Sequence, residues 1–145
     1  MRRFLYDTAV FVYALGTGHR YRAPCRRLVR LAGDGLLVGD ASVELVQELA
    51  HVRSRRGGDR RQAMADAHAA ADLCRLHAVE VADVRLALSL VAADDRLDVR
   101  DGIHAATALN RGIDTIVSPD RAFDAVVGLE RIDPADAESV LLAGS

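Results

Sequence analysis

Short apolar runs alternate with helical segments of ten residues or more along this chain, and that alternation restricts its fold more than any other feature. Phe4-Leu5-Tyr6 reads as a buried strand that stops at Asp7, and residues 9–15 suit a short helix closed by Gly16 and Gly18. An amphipathic helix follows over residues 22–31, with Cys25, Leu28, Val29 and Ala32 on one side and arginines on the other. Leu36-Leu37-Val38 is a second buried strand, after which Asp40 or Ser42 can cap a helix that turns Val43, Val46, Leu49 and Val52 inward. Gly57-Gly58 breaks the chain, an Ala-rich helix covers residues 59–76, and residues 78–81 form a third strand. Asp83 opens the next helix and Asp101 another that reaches Asn110, before a fourth strand at residues 115–118 ends in Pro119-Asp120. Residues 129–132 and 135–142 are a last strand and helix. Strands regularly separated by helices indicate an α/β sandwich around a parallel sheet. There is no internal repeat and no linker, so residues 1–145 read as one domain.

Half of the 145 residues are hydrophobic, enough for one core. All 19 basic residues are arginine, which excludes chemistry that needs a lysine. The net charge of −2 is not that of a typical nucleic-acid binder. If four acids are gathered in one pocket, however, the remainder of the chain is net positive, so an RNA partner is permitted. Cys25 and Cys74 lack the spacing of a redox or metal motif and read as small buried hydrophobes. No stretch approaches the roughly 18 apolar residues of a membrane span. The basic start of the chain runs into Asp7 too soon for a signal peptide. A cytoplasmic protein is the expectation.

Three acids stand where a parallel sheet puts chemistry: Asp7 at the end of the first strand, Asp120 just after the fourth, and Asp101 at a helix start. Glu48 lies one turn past Glu44 on the helix after the second strand. Any one of these acids reads most simply as a cap or strand terminator; as an ordered set they are more specific. Converging carboxylates repel, which raises their pKa values unless a cation compensates. Oxygen-only donors favour a hard ion such as Mg²⁺, with Mn²⁺ as the alternative. Such a centre suits hydrolysis of a phosphodiester.

The motifs resemble those of PIN domains, and in particular the VapC-type toxins. Phe4-Leu5-Tyr6-Asp7-Thr8 is similar to the opening strand of that family, and residues 42–49 to the segment carrying its second acid. Asp101-Gly102-Ile103-His104-Ala105-Ala106-Thr107-Ala108 resembles its Asp-x-x-His-Ala-Ala-x-Ala pattern, and Ser118-Pro119-Asp120-Arg121-Ala122-Phe123 its closing Ser-x-Asp-x-x-Phe. The match is in order and spans nearly the whole chain. It implies a three-layer sandwich and a Mg²⁺-dependent endoribonuclease, the toxin of a toxin–antitoxin pair, inhibited by a small antitoxin protein and homodimeric. By the same carry-over Asp7, Glu48, Asp101 and Asp120 are the metal-binding and catalytic acids.

Around them, Thr8 and Ser118 are expected to hydrogen-bond neighbouring carboxylates, or else to satisfy a turn. Asp124, four residues past Asp120, either joins the site or is a solvated helix acid. Arg96, Arg100 and Arg121 flank the acids and are candidates for RNA phosphate contact or for pairing with the carboxylates. Arg53, Arg55, Arg56, Arg60 and Arg61 read equally as phosphate contacts or as a solvated helix corner. His104 is expected to pack beneath the pocket, with tuning of the site as the alternative. His68, Cys74 and His77 lack a fourth ligand at zinc spacing. Ala63, Ala67, Ala70 and Ala71 permit close helix packing, with a dimer interface among the possibilities. A phosphatase using Asp7, or a phospho-receiver, fails for want of a lysine. A catalytically silent PIN domain that binds RNA or protein remains the competing function, and the presence of all four acids favours an enzyme. Which RNA is cut stays open.

Overall fold

A computed structural model describes residues 2–143. In chain order its elements are β1 (Leu5–Tyr6), α1 (Thr8–Leu15), α2 (Arg22–Gly33), β2 (Gly39–Ser42), α3 (Val43–Gly57), α4 (Arg60–Asp72), β3 (Cys74–His77), α5 (Val81–Ala93), α6 (Val99–Asn110), β4 (Thr115–Val117), β5 (Glu130–Ile132) and α7 (Pro134–Leu142). A 3₁₀ turn at Arg121–Ala125 lies between β4 and β5. The strands form one sheet in the order β3-β2-β1-β4-β5, with every pairing parallel.

The period-2 alternation of strand side chains divides two cores between the faces of this sheet. Phe4, Tyr6, Ala41 and Val117 enter a core shared with α1, α2, α3 and α7, including Phe11, Leu28, Leu45, Leu49 and Leu141. Leu5 and Ile116, one residue out of phase, enter the opposite core with Ala105 and Ala108 of α6 and Phe123 of the 3₁₀ turn. Helices thus cover both faces, giving the expected three-layer α/β sandwich. Among the described residues no helix is long and apolar enough to cross a membrane.

Several expectations shift. The second strand is Gly39–Ser42 rather than residues 36–38: Leu37 is buried, but Leu36 and Val38 face solvent. Gly39 earns its place there because a Cβ would lie 2.3 Å from the Tyr6 ring and 2.6 Å from the Phe4 ring. Asp40, expected as a possible helix cap, is instead buried in this strand and paired, to Arg3 at 2.9 Å and to His77 at 2.6 Å. The third strand is Cys74–His77 rather than residues 78–81, because α4 ends at Asp72. As a sheet edge it tolerates the exposed Arg75 and Leu76. Ser42 caps α3 by accepting from the Glu44 amide, and this start turns Leu45 and Leu49 inward while Val43 is exposed. Asp98, not Asp101, caps α6. Ala63, Ala67 and Ala70 are buried, so their face of α4 is used within the chain.

Asp83 locks α5 to α6. Its buried carboxylate accepts from Arg111 at 2.9 and 3.0 Å, from Asn110 at 2.8 Å and from the Glu80 amide at 2.8 Å. Burial alone would raise its pKa; these donors outweigh burial and hold it at about 2. Because the folded value lies below the unfolded one, the stabilisation is complete above about pH 4 and fades as pH falls toward 2. Asp83→Asn is expected to destabilise the protein by about 2 kcal/mol at pH 7. Denaturant melts across a pH series should show that difference closing between pH 4 and 2.

Candidate active site

The chain runs outward from β1 to β3 on one side of the sheet, then returns to place β4 on the other side of β1. That reversal opens a crevice at the carboxyl ends of β1 and β4, the place where parallel sheets bind ligands. A cleft of about 480 Å³ lies there, lined by Asp7, Glu48, Asp98, Asp101 and Asp120 together with Thr8, Tyr13, His19, Arg20, Tyr21, Arg56 and Arg100. The four acids singled out in the sequence therefore meet, and Glu48 rather than Glu44 faces them.

Each acid is positioned differently. The Asp7 amide donates to the Val117 carbonyl at 3.1 Å, which registers the end of β1 against β4. Its carboxylate does not cap α1; Oδ2 accepts from the Ser118 hydroxyl at 2.6 Å. Ser118 Oγ in turn accepts from the Asp120 amide at 3.0 Å, so one buried hydroxyl ties the acids of two strands together. Asp120 Oδ1 accepts from the Ala122 amide at 2.9 Å, fixing the carboxylate on the 3₁₀ turn. Asp101 is held through its backbone, its amide donating to Asp98 Oδ1 at 2.8 Å.

Glu48 reaches the cleft from α3, and its orientation depends on His104. His104 is fully buried, with Nε2 at 2.8 Å from Glu48 Oε1 and 3.1 Å from Thr8 Oγ1. An ionised carboxylate only accepts, so Nε2 carries the hydrogen and donates to Glu48. Burial works to lower the pKa of this imidazole, but the bond to Glu48 and the charges of Asp7, Glu48 and Asp101 prevail and raise it. His104 is therefore more than packing beneath the pocket. Thr8 contributes through this histidine instead of bonding an acid directly.

The remaining expectations divide. Asp124 pairs with Arg131 at 2.9 Å, is largely solvated and does not line the cleft. Arg96 pairs with Asp94 at 2.9 Å outside the cleft, whereas Arg100 lines it; Arg121 is exposed and is not among the lining residues. Of the arginines around Gly57-Gly58, Arg53 braces α3 against α4 through Asp66 at 3.3 Å and Arg56 faces the acids. Sequence reasoning passed over Asp98, Arg20 and the ring cluster Tyr13-His19-Tyr21. They lie on loops and helix ends with no apolar periodicity to mark them.

The electrostatics are those of crowded like charges. Burial raises the pKa of Asp7, assisted by Glu48 and Asp120 and opposed by His104 and Ser118. Burial, followed by Asp7, Asp98 and Asp120, lifts Asp101 to about 7. A divalent cation relieves such a cluster, and the all-oxygen donor set fits a hard ion. Among the described residues no three His, Cys, Asp or Glu side chains are grouped to hold an ion by themselves.

The PIN domain family model matches residues 4–129. Ribonuclease VapC7 of Mycobacterium tuberculosis is 34% identical over 140 residues, which cover 95% of this chain and 96% of that protein. Ribonuclease VapC13 of the same organism is 30% identical over 134 residues, 88% of this chain and 98% of the relative. Among solved structures, the DNA-bound VapBC of Salmonella typhimurium superposes with a TM-score of 0.67 at 16% identity, covering 92% of this chain and 99% of that one. VapC20 of Mycobacterium tuberculosis, a sarcin-ricin loop cleaving toxin, superposes with a TM-score of 0.64 at 19% identity, covering 78% and 86%.

Because the folded pKa of Asp101 lies above the unfolded one, its ionisation opposes folding, negligibly below about pH 4 and fully above pH 7. Asp101→Asn is expected to raise the Tm of the metal-free protein by several degrees at pH 8 and by roughly a third as much at pH 5. Thermal melts in EDTA at the two pH values check this.

Proposed function

This chain belongs to the PIN-domain family, among its VapC ribonucleases, and from that premise we propose that it is a Mg²⁺-dependent endoribonuclease and the toxin of a toxin–antitoxin pair. The meeting of Asp7, Glu48, Asp101 and Asp120 in one cleft at the sheet's reversal is the observation that supports this reading most directly.

In this account the four acids would hold the divalent ion together with water and substrate oxygens. When bound, the ion supplies a Lewis acid that lowers the pKa of water and offsets charge gathering at phosphorus. The chain's own work is positioning. Ser118 fixes the angle of the Asp7 carboxylate and the approach of Asp120, and His104 does the same for Glu48. Arg20, Arg56 and Arg100 surround the acids with cations suited to phosphates flanking the scissile bond, where they fix the backbone without reading sequence. Hydrolysis then proceeds by attack of a carboxylate-oriented water on phosphorus and departure of the ribose oxygen.

The proposed partners are an RNA substrate, a small antitoxin protein and a second copy of the chain. The solved neighbours include VapBC complexes, which supports an antitoxin. A homodimer is supported by α5, which is apolar around most of its circumference. Val81, Val84 and Leu88 project from its outer face at i, i+3 and i+7, with Val81 70% and Leu88 54% exposed. The proposed place of action is the cytoplasm, where the RNA is.

Asp7→Asn and Glu48→Gln are each expected to lower RNA cleavage by a factor of about 100 or more while the fold is retained. Excess EDTA should abolish wild-type cleavage and Mg²⁺ restore it. RNA-end sequencing after pulsed expression of wild type and Asp7→Asn measures this; cleavage unaffected by EDTA rejects the metal mechanism, and a catalytically silent protein cuts in neither case. Sedimentation should show a wild-type dimer and a Leu88→Glu monomer, and a monomeric wild type removes the second copy from the proposal.

A further inference from the structure

One wall of the acid cleft is built from rings. Tyr13 and His19 stack with centroids 4.3 Å apart and planes 19° apart, and Tyr21 lies 5.8 Å from His19 at 18°. The Arg20 guanidinium sits 5.0 Å from the centre of the Tyr21 ring. All four residues line the same cleft as Asp7, Glu48, Asp101 and Asp120.

The distribution of aromatics makes this cluster conspicuous. The chain has three Phe and three Tyr; Phe4, Phe11, Phe123 and Tyr6 are buried in the two cores. Tyr13 and Tyr21 are the two that solvent can reach, and both stand at the acids. They are also fixed in place. The Tyr21 hydroxyl donates to Asp133 Oδ2 at 2.7 Å, and its amide donates to His19 Nδ1 at 3.1 Å. Tyr13 is anchored against the first core by its place on α1. His19, by contrast, is exposed, so its ring is the member of the cluster most open to solvent.

We propose that the Tyr13-His19-Tyr21 cluster is a nucleobase-stacking subsite that seats one unpaired RNA base beside the acids. A flat exposed ring backed by a second ring attracts the π-face of any base, whichever base it is. In a duplex that face is already covered by neighbouring base pairs, so an unpaired nucleotide alone can offer it. Arg20, Arg56 and Arg100 hold the phosphates on either side. The substrate assignment rests on the ribonuclease reading; the stacking itself does not.

The test uses an oligoribonucleotide of about eight unpaired residues with 2-aminopurine stepped through its positions, bound to the Asp7→Asn protein in Mg²⁺. Fluorescence should be quenched at one position. His19→Ala added to Asp7→Asn should abolish the quenching and raise Kd about tenfold, while His19→Phe should retain both. An abasic residue at the quenched position should weaken Asp7→Asn binding about tenfold and add nothing to His19→Ala. Unchanged quenching and affinity in His19→Ala overturn the proposal, as do multiplying effects of the abasic site and His19→Ala, or failure of His19→Phe to rescue. A blunt duplex of the same sequence should bind equally with and without the His19 ring, and a His19-dependent duplex overturns the preference for unpaired RNA. Cleavage by wild type separates the two readings: quenching without Mg²⁺-dependent cleavage rejects the nuclease and keeps the base subsite. Cleavage with the same KM in wild type and His19→Ala does the reverse.

Discussion

The parallel pairing of β1 with β4 governs where this protein's chemistry falls. Leu5 registers with Ile116 and Tyr6 with Val117, and the next amide, that of Asp7, still donates to Val117. Two strands separated by more than a hundred residues therefore finish side by side. Because β2 and β3 lie on one side of β1 and β4 and β5 on the other, the helices after β1 and β4 diverge and leave a crevice between them. The serine after β4 then donates to the aspartate after β1 and accepts from the Asp120 amide. Shift β4 by one residue and Ser118 would point to the opposite face of the sheet.

Gathering acids in this way works against folding. Asp7 and Asp101 both resist ionisation, chiefly because they are removed from water and then because they face one another and their neighbours. Elsewhere the chain treats its buried acids differently. Asp40 is balanced by Arg3, Arg75 and His77, and Asp83 by Arg111. Both consequently hold their pKa below the ordinary carboxylate value. The contrast separates structural acids, each hydrogen-bonded to an arginine, from Asp7 and Asp101, whose carboxylates pair with none and whose pKa values rise. A buried acid balanced by arginine is a strut; the cleft acids, which face other acids, are the ones proposed to take a cation.

Much of this was legible in the sequence because the carrying signals are local. The β1 and β4 runs, the acids that end them and the order of the helices can all be read from apolar patterning and from the motifs. The second and third strands were not legible in place. Gly39-Asp40-Ala41-Ser42 has no apolar alternation, and it forms a strand because two aromatic rings need the space above Gly39 and because Arg3, Arg75 and the His77 ring pair with Asp40. Those partners lie far away in the chain. Within the cleft, Glu48 and Asp120 could be named, but the bond from His104 to Glu48 could not, since it joins α6 to α3 across 56 residues. The ring cluster was equally hidden. Tyr13, His19 and Tyr21 share no periodicity and meet because the chain folds back between α1 and α2.

The bracing of the acids is uneven, and the unevenness has a physical consequence. Asp7 receives the Ser118 hydroxyl, Glu48 the His104 ring and Asp120 the Ala122 amide. Among the described residues the Asp101 carboxylate receives no hydrogen bond, although its backbone is held by Asp98. A carboxylate without a donor, partly removed from water and facing Asp7, Asp98 and Asp120, is the one whose pKa climbs to about 7. The three braced acids are held in fixed directions by the fold. Asp101 is the one cleft acid that is only partly ionised near neutral pH and lacks a hydrogen-bond donor, so the charge of the cleft responds most readily at the start of α6 rather than at the ends of the strands.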